Sequence, residues 1–137
     1  MSALSVLLAL AMRTLAWTSD TDALAEAIAQ EARTWGEVVL AVGVAFREGS
    51  NRLGVVGDQG RALCTMQLHR VPRAVLTDAR LCIRIGLERI RASAALCPSA
   101  PLAAYAGLRC GDERAARISA DRERVGRRAL ARVGVRP

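Results

Sequence analysis

Val38-Val39-Leu40-Ala41-Val42-Gly43-Val44-Ala45-Phe46-Arg47-Glu48 is the stretch on which the reading of this chain turns. It is apolar nearly all round, which marks a helix buried on every side rather than one lying on a surface. A break at Thr34-Trp35-Gly36 precedes it, so the helix is expected over about 37–48. The turn formers Gly49-Ser50-Asn51 follow it. The run therefore ends on a carboxylate, Glu48, at the mouth of a greasy helix, and its neighbours are expected to be hydrocarbon. Such surroundings favour the protonated form of a carboxyl and keep its proton available for donation. That is what a general acid acting on glycosidic bonds requires.

Upstream, Thr18-Ser19-Asp20-Thr21-Asp22 is a cluster of N-cap residues. It opens a helix over about 22–33 with Leu24, Ala25, Ile28 and Ala32 on one face. Residues 2–17 are apolar and are too short before Arg13 to cross a bilayer as a helix. They read as a first core helix, with an export signal as the alternative.

Downstream, Asn51, Gly54, Gly57-Asp58 and Gly60 alternate with Leu53, Val55 and Val56, the pattern of a small irregular β-hairpin. A short helix is expected over 64–70, ended near Pro72. Thr77-Asp78 caps a helix running to about Ala95, with Leu81, Ile85, Leu87 at the edge, and Ile90 as its apolar face. A further short helix is expected over 101–106, stopped by Gly107. The last helix runs from about Glu113 to Val133. The chain thus reads as predominantly helical α+β, one domain over 1–137, with no internal repeat or linker.

The 137 residues suffice for a real core, and 52% of them are apolar. Aromatics are limited to Trp17, Trp35, Phe46 and Tyr105, so the core is built of Ala, Leu, Val and Ile, which favours packed helices. The net charge is +7 and every basic side chain apart from His69 is Arg. This usage reflects a GC-rich coding sequence, and a basic surface also favours an anionic partner. Aromatic interleaving and a recognition-helix motif are lacking, so no nucleic-acid partner is expected. The helix face carrying Arg117, Arg122, Arg124, Arg127, Arg128 and Arg132 reads as solvated, with attraction to an anionic cell wall as the alternative.

The four cysteines, Cys64, Cys82, Cys97 and Cys110, form no Cys-x-x-Cys pair and are accompanied by one histidine. A zinc site is therefore not expected, nor any other metal or cofactor. The even count fits two disulfides, expected as Cys97–Cys110 and Cys64–Cys82 among three connectivities. Four buried thiols are the alternative.

Four local features occur in the order found in lytic transglycosylases and goose-type lysozymes. They are the apolar helix ending in Glu48, the turn Gly57-Asp58-Gln59-Gly60-Arg61-Ala62, Cys64-Thr65-Met66-Gln67-Leu68, and Leu102-Ala103-Ala104-Tyr105-Ala106-Gly107. The third is similar to the family's Gly-Leu-Met-Gln-Ile and the fourth to its Ala-Tyr-Asn-x-Gly. Between them, the segment from Asp78 to Leu87 resembles the family's helix with a mid-helix Gly. The resemblance covers about residues 22–131. The chain departs from the pattern at Gly49, where the family has Ser directly after its Glu, at Cys64 in place of Gly, and at Ala106 in place of Asn.

What the resemblance implies is a lysozyme-like fold and cleavage of the β-1,4 bond between N-acetylmuramic acid and N-acetylglucosamine in peptidoglycan. Glu48 would be the acid and then the base in the lytic transglycosylase route. Ser50, Asp58, Met66, Gln67 and Tyr105 would contact substrate, and Asp58 would be the second carboxylate if the reaction were hydrolysis. Each residue also has a plainer reading. Glu48 would be a surface carboxylate at a helix end, Asp58 a turn former, Met66 core filler, Gln67 a helix-surface amide, and Tyr105 a core Tyr with one hydrogen bond. His69 reads as solvated. The implied setting is periplasmic, extracellular or on a phage particle, without a stable membrane span. A cell-wall-binding component of a phage or secretion machine on the same fold is the competing function.

Overall fold

Residues 1–137 are described by a computed structural model. Five helices carry the architecture: α1 (Ala3–Arg13), α2 (Thr21–Glu31), α3 (Trp35–Gly49), α4 (Ala79–Leu96) and α5 (Glu113–Arg132). Between α3 and α4 lies one antiparallel pair, β1 (Val56–Gly57) and β2 (Ala62–Leu63), with Val56 opposite Leu63. The chain is therefore predominantly helical α+β with a small hairpin after α3, as its periodicities indicate.

The helix starts follow from local chemistry. Side chains of Ser2, Thr34, Asp78 and Asp112 accept from backbone N–H groups of the first turns of α1, α3, α4 and α5, groups that no intrahelical carbonyl can reach. The Glu37 carboxylate in return accepts from the Arg33 N–H, close to a capping box.

Helix α3 is the central element, and every residue from Val38 to Ala45 is buried. It is flanked by α5 and α4, while α2 packs between α1 and α4. The core draws Leu8 and Met12 from α1, Leu24 and Ile28 from α2, Val39 and Val42 from α3, Ile83, Leu87 and Ile90 from α4, and Leu130 from α5. The apolar N-terminal stretch is thus a packed helix in this structure.

Three expectations are corrected. Residues 64–70 form no helix. Cys64, Gln67 and Arg70 have φ of 60°, 50° and 55°, left-handed values that interrupt any right-handed helix. The chain instead reverses tightly, and Leu63 and Leu68 exchange both backbone hydrogen bonds at 3.0 and 2.8 Å. Residues 101–107 are successive turns rather than a regular helix, closed at Gly107 with φ of 72°. In α4 the buried face is Cys82, Ile83, Gly86, Leu87 and Ile90, while Leu81 and Ile85 are only half-buried. The face is rotated because Cys82 and Gly86 receive Cys64 and Met66 from the preceding turn.

The crossing of α3 and α5 is unusually close. A Cβ on Gly43 would lie 2.0 Å from the Arg122 carbonyl oxygen, and one on Gly126 would lie 2.0 Å from that of Val39. Two mid-helix glycines therefore let the two backbones touch, and this crossing places the site described next.

Candidate active-site groove

A groove of about 710 Å³ opens beside the C-terminal end of α3. Its polar lining includes Glu48, Asp58, Gln67, His69, Arg89, Tyr105 and Arg122, set among Val44, Leu68, Leu102 and Ile118. Glu48, Gln67 and Tyr105, drawn from three separate motifs, are thus brought to one cavity, and Asp58 joins them. Ser50 and Met66 do not line it.

The end of α3 is fixed by the turn that follows the hairpin. The Thr65 hydroxyl donates to the Ala45 carbonyl at 2.7 Å. A Cβ on Gly49 would lie 2.5 Å from the Thr65 Cα, so a serine there would collide with backbone. This is why Gly follows Glu48. Ser50 is the left-handed C-cap, φ 51°, and is exposed. Asn51 is buried and donates to the carbonyls of Met12 and Ala16 at 3.2 and 3.0 Å, tying the exit of α3 to the exit of α1.

Glu48 is not surrounded by hydrocarbon. Its carboxylate accepts from Arg122 Nη2 at 2.8 Å, and its side chain is 34% exposed. Arg122 is 18% exposed and its Nη1 donates to Asp121 at 2.8 Å. Burial pushes this guanidinium down, but the hydrogen bonds to Glu48 and Asp121 outweigh it and hold the group above its ordinary value. Asp121 in turn accepts from Arg47 at 3.0 and 3.1 Å and from Arg124 at 2.9 Å. The "solvated" arginine face of α5 therefore supplies the ion partner of Glu48. Sequence reasoning missed Arg122 because it lies 74 positions from Glu48. The glycines embedded in α3 and α5 were the one signal that these helices meet closely.

Tyr105 turns its hydroxyl inward, donating to the Met66 carbonyl at 2.5 Å, while part of its side chain lines the groove. Burial first, and then the negative charge of Glu48, push the phenol well above its ordinary value, with Arg89 opposing. Tyr105 is therefore neutral, and it is a core tyrosine and a groove residue together. Met66 is fully buried and fits against Gly86, whose Cβ would lie 2.6 Å from the Met66 Cε. It is core filler, which removes it from the substrate contacts.

Gln67 donates from Nε2 to the Cys64 carbonyl at 2.9 Å, and its Oε1 crowds Gly57, where a Cβ would lie 2.2 Å away. Its amide is thus held rigid at the groove. Asp58 occupies the hairpin turn with φ of 49° and pairs with His69 at 3.3 Å and Arg61 at 3.4 Å. It acts as turn former and groove residue at once. His69 is exposed, as expected, and also lines the groove beside it. Ala106 also lines the groove and offers no polar side chain there.

Two disulfides frame the site, Cys64–Cys82 and Cys97–Cys110. The first anchors the Gln67 turn to α4; the second closes the loop before α5. No cluster of three His, Cys, Asp or Glu side chains is arranged to hold a metal ion.

No protein-family model, curated protein or solved structure matches this chain.

Proposed function

We propose that the groove cleaves the β-1,4 bond between N-acetylmuramic acid and N-acetylglucosamine, by the non-hydrolytic transglycosylase route. The observation that carries this reading is the convergence of Glu48, Gln67 and Tyr105 on one groove of a size usual for ligand sites. In the reaction, Glu48 gives its proton to the glycosidic oxygen as the bond to the anomeric carbon breaks. The substrate's own N-acetyl oxygen stabilises the positive charge at that carbon. The C6 hydroxyl of the muramic residue then bonds to it and returns a proton to Glu48, leaving a 1,6-anhydro ring. Gln67 offers a fixed amide to a sugar substituent. The excess of arginine draws the protein to an anionic cell wall.

The disulfides suit an oxidising compartment, in keeping with a periplasmic, extracellular or virion-associated protein. No helix is long and apolar enough to cross a membrane.

The Arg122–Glu48 ion pair favours a second reading, a cell-wall-binding component of a phage particle or secretion machine with little or no activity. One oxygen of the Glu48 carboxylate is already engaged by the guanidinium rather than offered to a ligand. One experiment separates the two. Purified protein is expected to clear a peptidoglycan suspension and release anhydro-muropeptides, identified by mass, and Glu48→Gln to abolish this. Reducing-end products would mean hydrolysis. Binding to wall without clearance, unchanged in Glu48→Gln, would leave the second reading.

A further inference from the structure

The two helices that meet at Gly43 and Gly126 exchange charges in a reciprocal pattern. Arg47 and Glu48 are adjacent on α3, and Asp121 and Arg122 are adjacent on α5. Arg47 pairs with Asp121 and Arg122 with Glu48. Arg122 is also the more constrained partner. Its Nη1 is held by Asp121 and its Nη2 by Glu48, and its side chain is only 18% exposed.

We infer that Arg122 is the positioning residue of the groove: clamped by Asp121, it holds the Glu48 carboxylate in one orientation at the groove. This rests on the reading of Glu48 as the general acid and adds the residue that aims it. The other groups near the groove do not duplicate the role. From α3, Arg47 is engaged by Asp121. From α4, Arg89 donates to the His69 carbonyl. From the hairpin side, Asp58 pairs with His69 and Arg61. From the turns over 101–107, Tyr105 donates to Met66 and is neutral. Arg122 is the one side chain hydrogen-bonded to the Glu48 carboxylate.

The consequence is a Glu48 orientation set by a fixed cation. Without the guanidinium the carboxylate is free to turn, so turnover suffers more than substrate binding. The test compares wild type with Arg122→Gln, Arg122→Lys and Asp121→Asn. Two readouts are used: kcat and KM from initial rates over a range of peptidoglycan concentrations, and the carboxyl carbon resonance of Glu48 at one fixed pH. In Arg122→Gln kcat falls by about tenfold with KM little changed, and the Glu48 resonance moves from its wild-type position. Arg122→Lys recovers part of the rate. Asp121→Asn, which loosens the clamp without touching Glu48, changes both in the same direction by less.

Equal kcat and an unchanged Glu48 resonance in wild type and Arg122→Gln would overturn the inference, as would a loss confined to KM. If no form cleaves any wall, the glycosidase reading fails on its own, and the resonance still decides whether Arg122 controls Glu48. If Arg122→Gln does not fold, Asp121→Asn carries the comparison.

Discussion

The two sides of the groove are held in opposite ways. On the helical side, Val44 and Glu48 of α3 face Ile118 and Arg122 of α5, and their relative position comes from backbones in contact at Gly43 and Gly126. On the loop side, Gln67 and Leu68 come from a tight reversal containing left-handed residues, and the Cys64–Cys82 bridge and Met66 seated against Gly86 hold it. Regular elements need no cross-link to be placed accurately, because close-packed backbone leaves no room to slide. A reversal with strained φ values at Cys64 and Gln67 has no such regular packing and relies on a covalent tie. One side should therefore break sterically and the other chemically.

The largest expected effect is on the helical side. Gly43→Ala puts a Cβ against the Arg122 carbonyl, which is backbone and cannot swing away. The helices must part, at a cost of about 3 kcal/mol, against a gain of about 1 kcal/mol in helix propensity. Denaturant titration should show a clear net loss of stability, and the Glu48–Arg122 contact should be displaced with it. A variant as stable as the parent would mean that the close crossing is not what sets this side.

Next is the loop side. Replacing Cys64 and Cys82 together by serine opens a span of 18 residues, which in the chain-entropy model removes about 3 kcal/mol at most. The two substitutions should also loosen Gln67 while leaving the α3–α5 crossing intact. Faster amide hydrogen exchange confined to residues 62–70 is the expected signature. Equal loosening in α5 would show that the two sides are not independent.

How much of this was legible follows the same division. The helices were read from periodicity and caps, because Thr34, Asp78 and Asp112 act on neighbours within a few residues. The cysteine pairing was read too, since it joins segments close in the chain. The reversal over 64–70 was misread as helix because nothing local announces a positive φ at Cys64 or Gln67; the Leu63–Leu68 pairing imposes it. The setting of Glu48 was misread for a longer-range reason. A greasy run predicts greasy neighbours, but its end emerges beside an arginine from the far end of the chain. Glu48, Gln67 and Tyr105 meet at one groove from three distant stretches, whereas Arg89, Arg122 and Thr65 had no local signal.

Acid separates the two sides by a smaller margin. Burial raises the Asp121 carboxyl, but the hydrogen bonds from Arg47 and Arg122 outweigh it and hold the group below its usual range. Glu37 is likewise lowered, burial being outweighed by Arg91 and the Arg33 N–H. A lowered carboxyl contributes stability that is complete above its unfolded value of about 4 and is lost as pH falls through the folded one. Stability should therefore hold from neutral pH to about 4 and decline below it. Asp121→Asn should flatten the decline, and the Cys64–Cys82 side should be indifferent to the change. An acid limb unaltered by Asp121→Asn would remove the ion pairs from the account of the helical side.

Gly86→Ala should have the smallest effect, and it sharpens the contrast most directly. Like Gly43, Gly86 lies inside a helix, and a Cβ there also meets a neighbour too closely, the Met66 Cε at 2.6 Å and Cγ at 3.0 Å. The difference is in what is met. Met66 is an unbranched side chain that can turn to another rotamer within its core pocket, whereas the partner of Gly43 is a carbonyl fixed in a helix. Overpacking of about 1 kcal/mol is set against a propensity gain of about the same size, so the net change should be near zero. If Gly86→Ala instead destabilises as much as Gly43→Ala, the turn carrying Gln67 is as unyielding as the helical side, and the bridge is not its principal restraint.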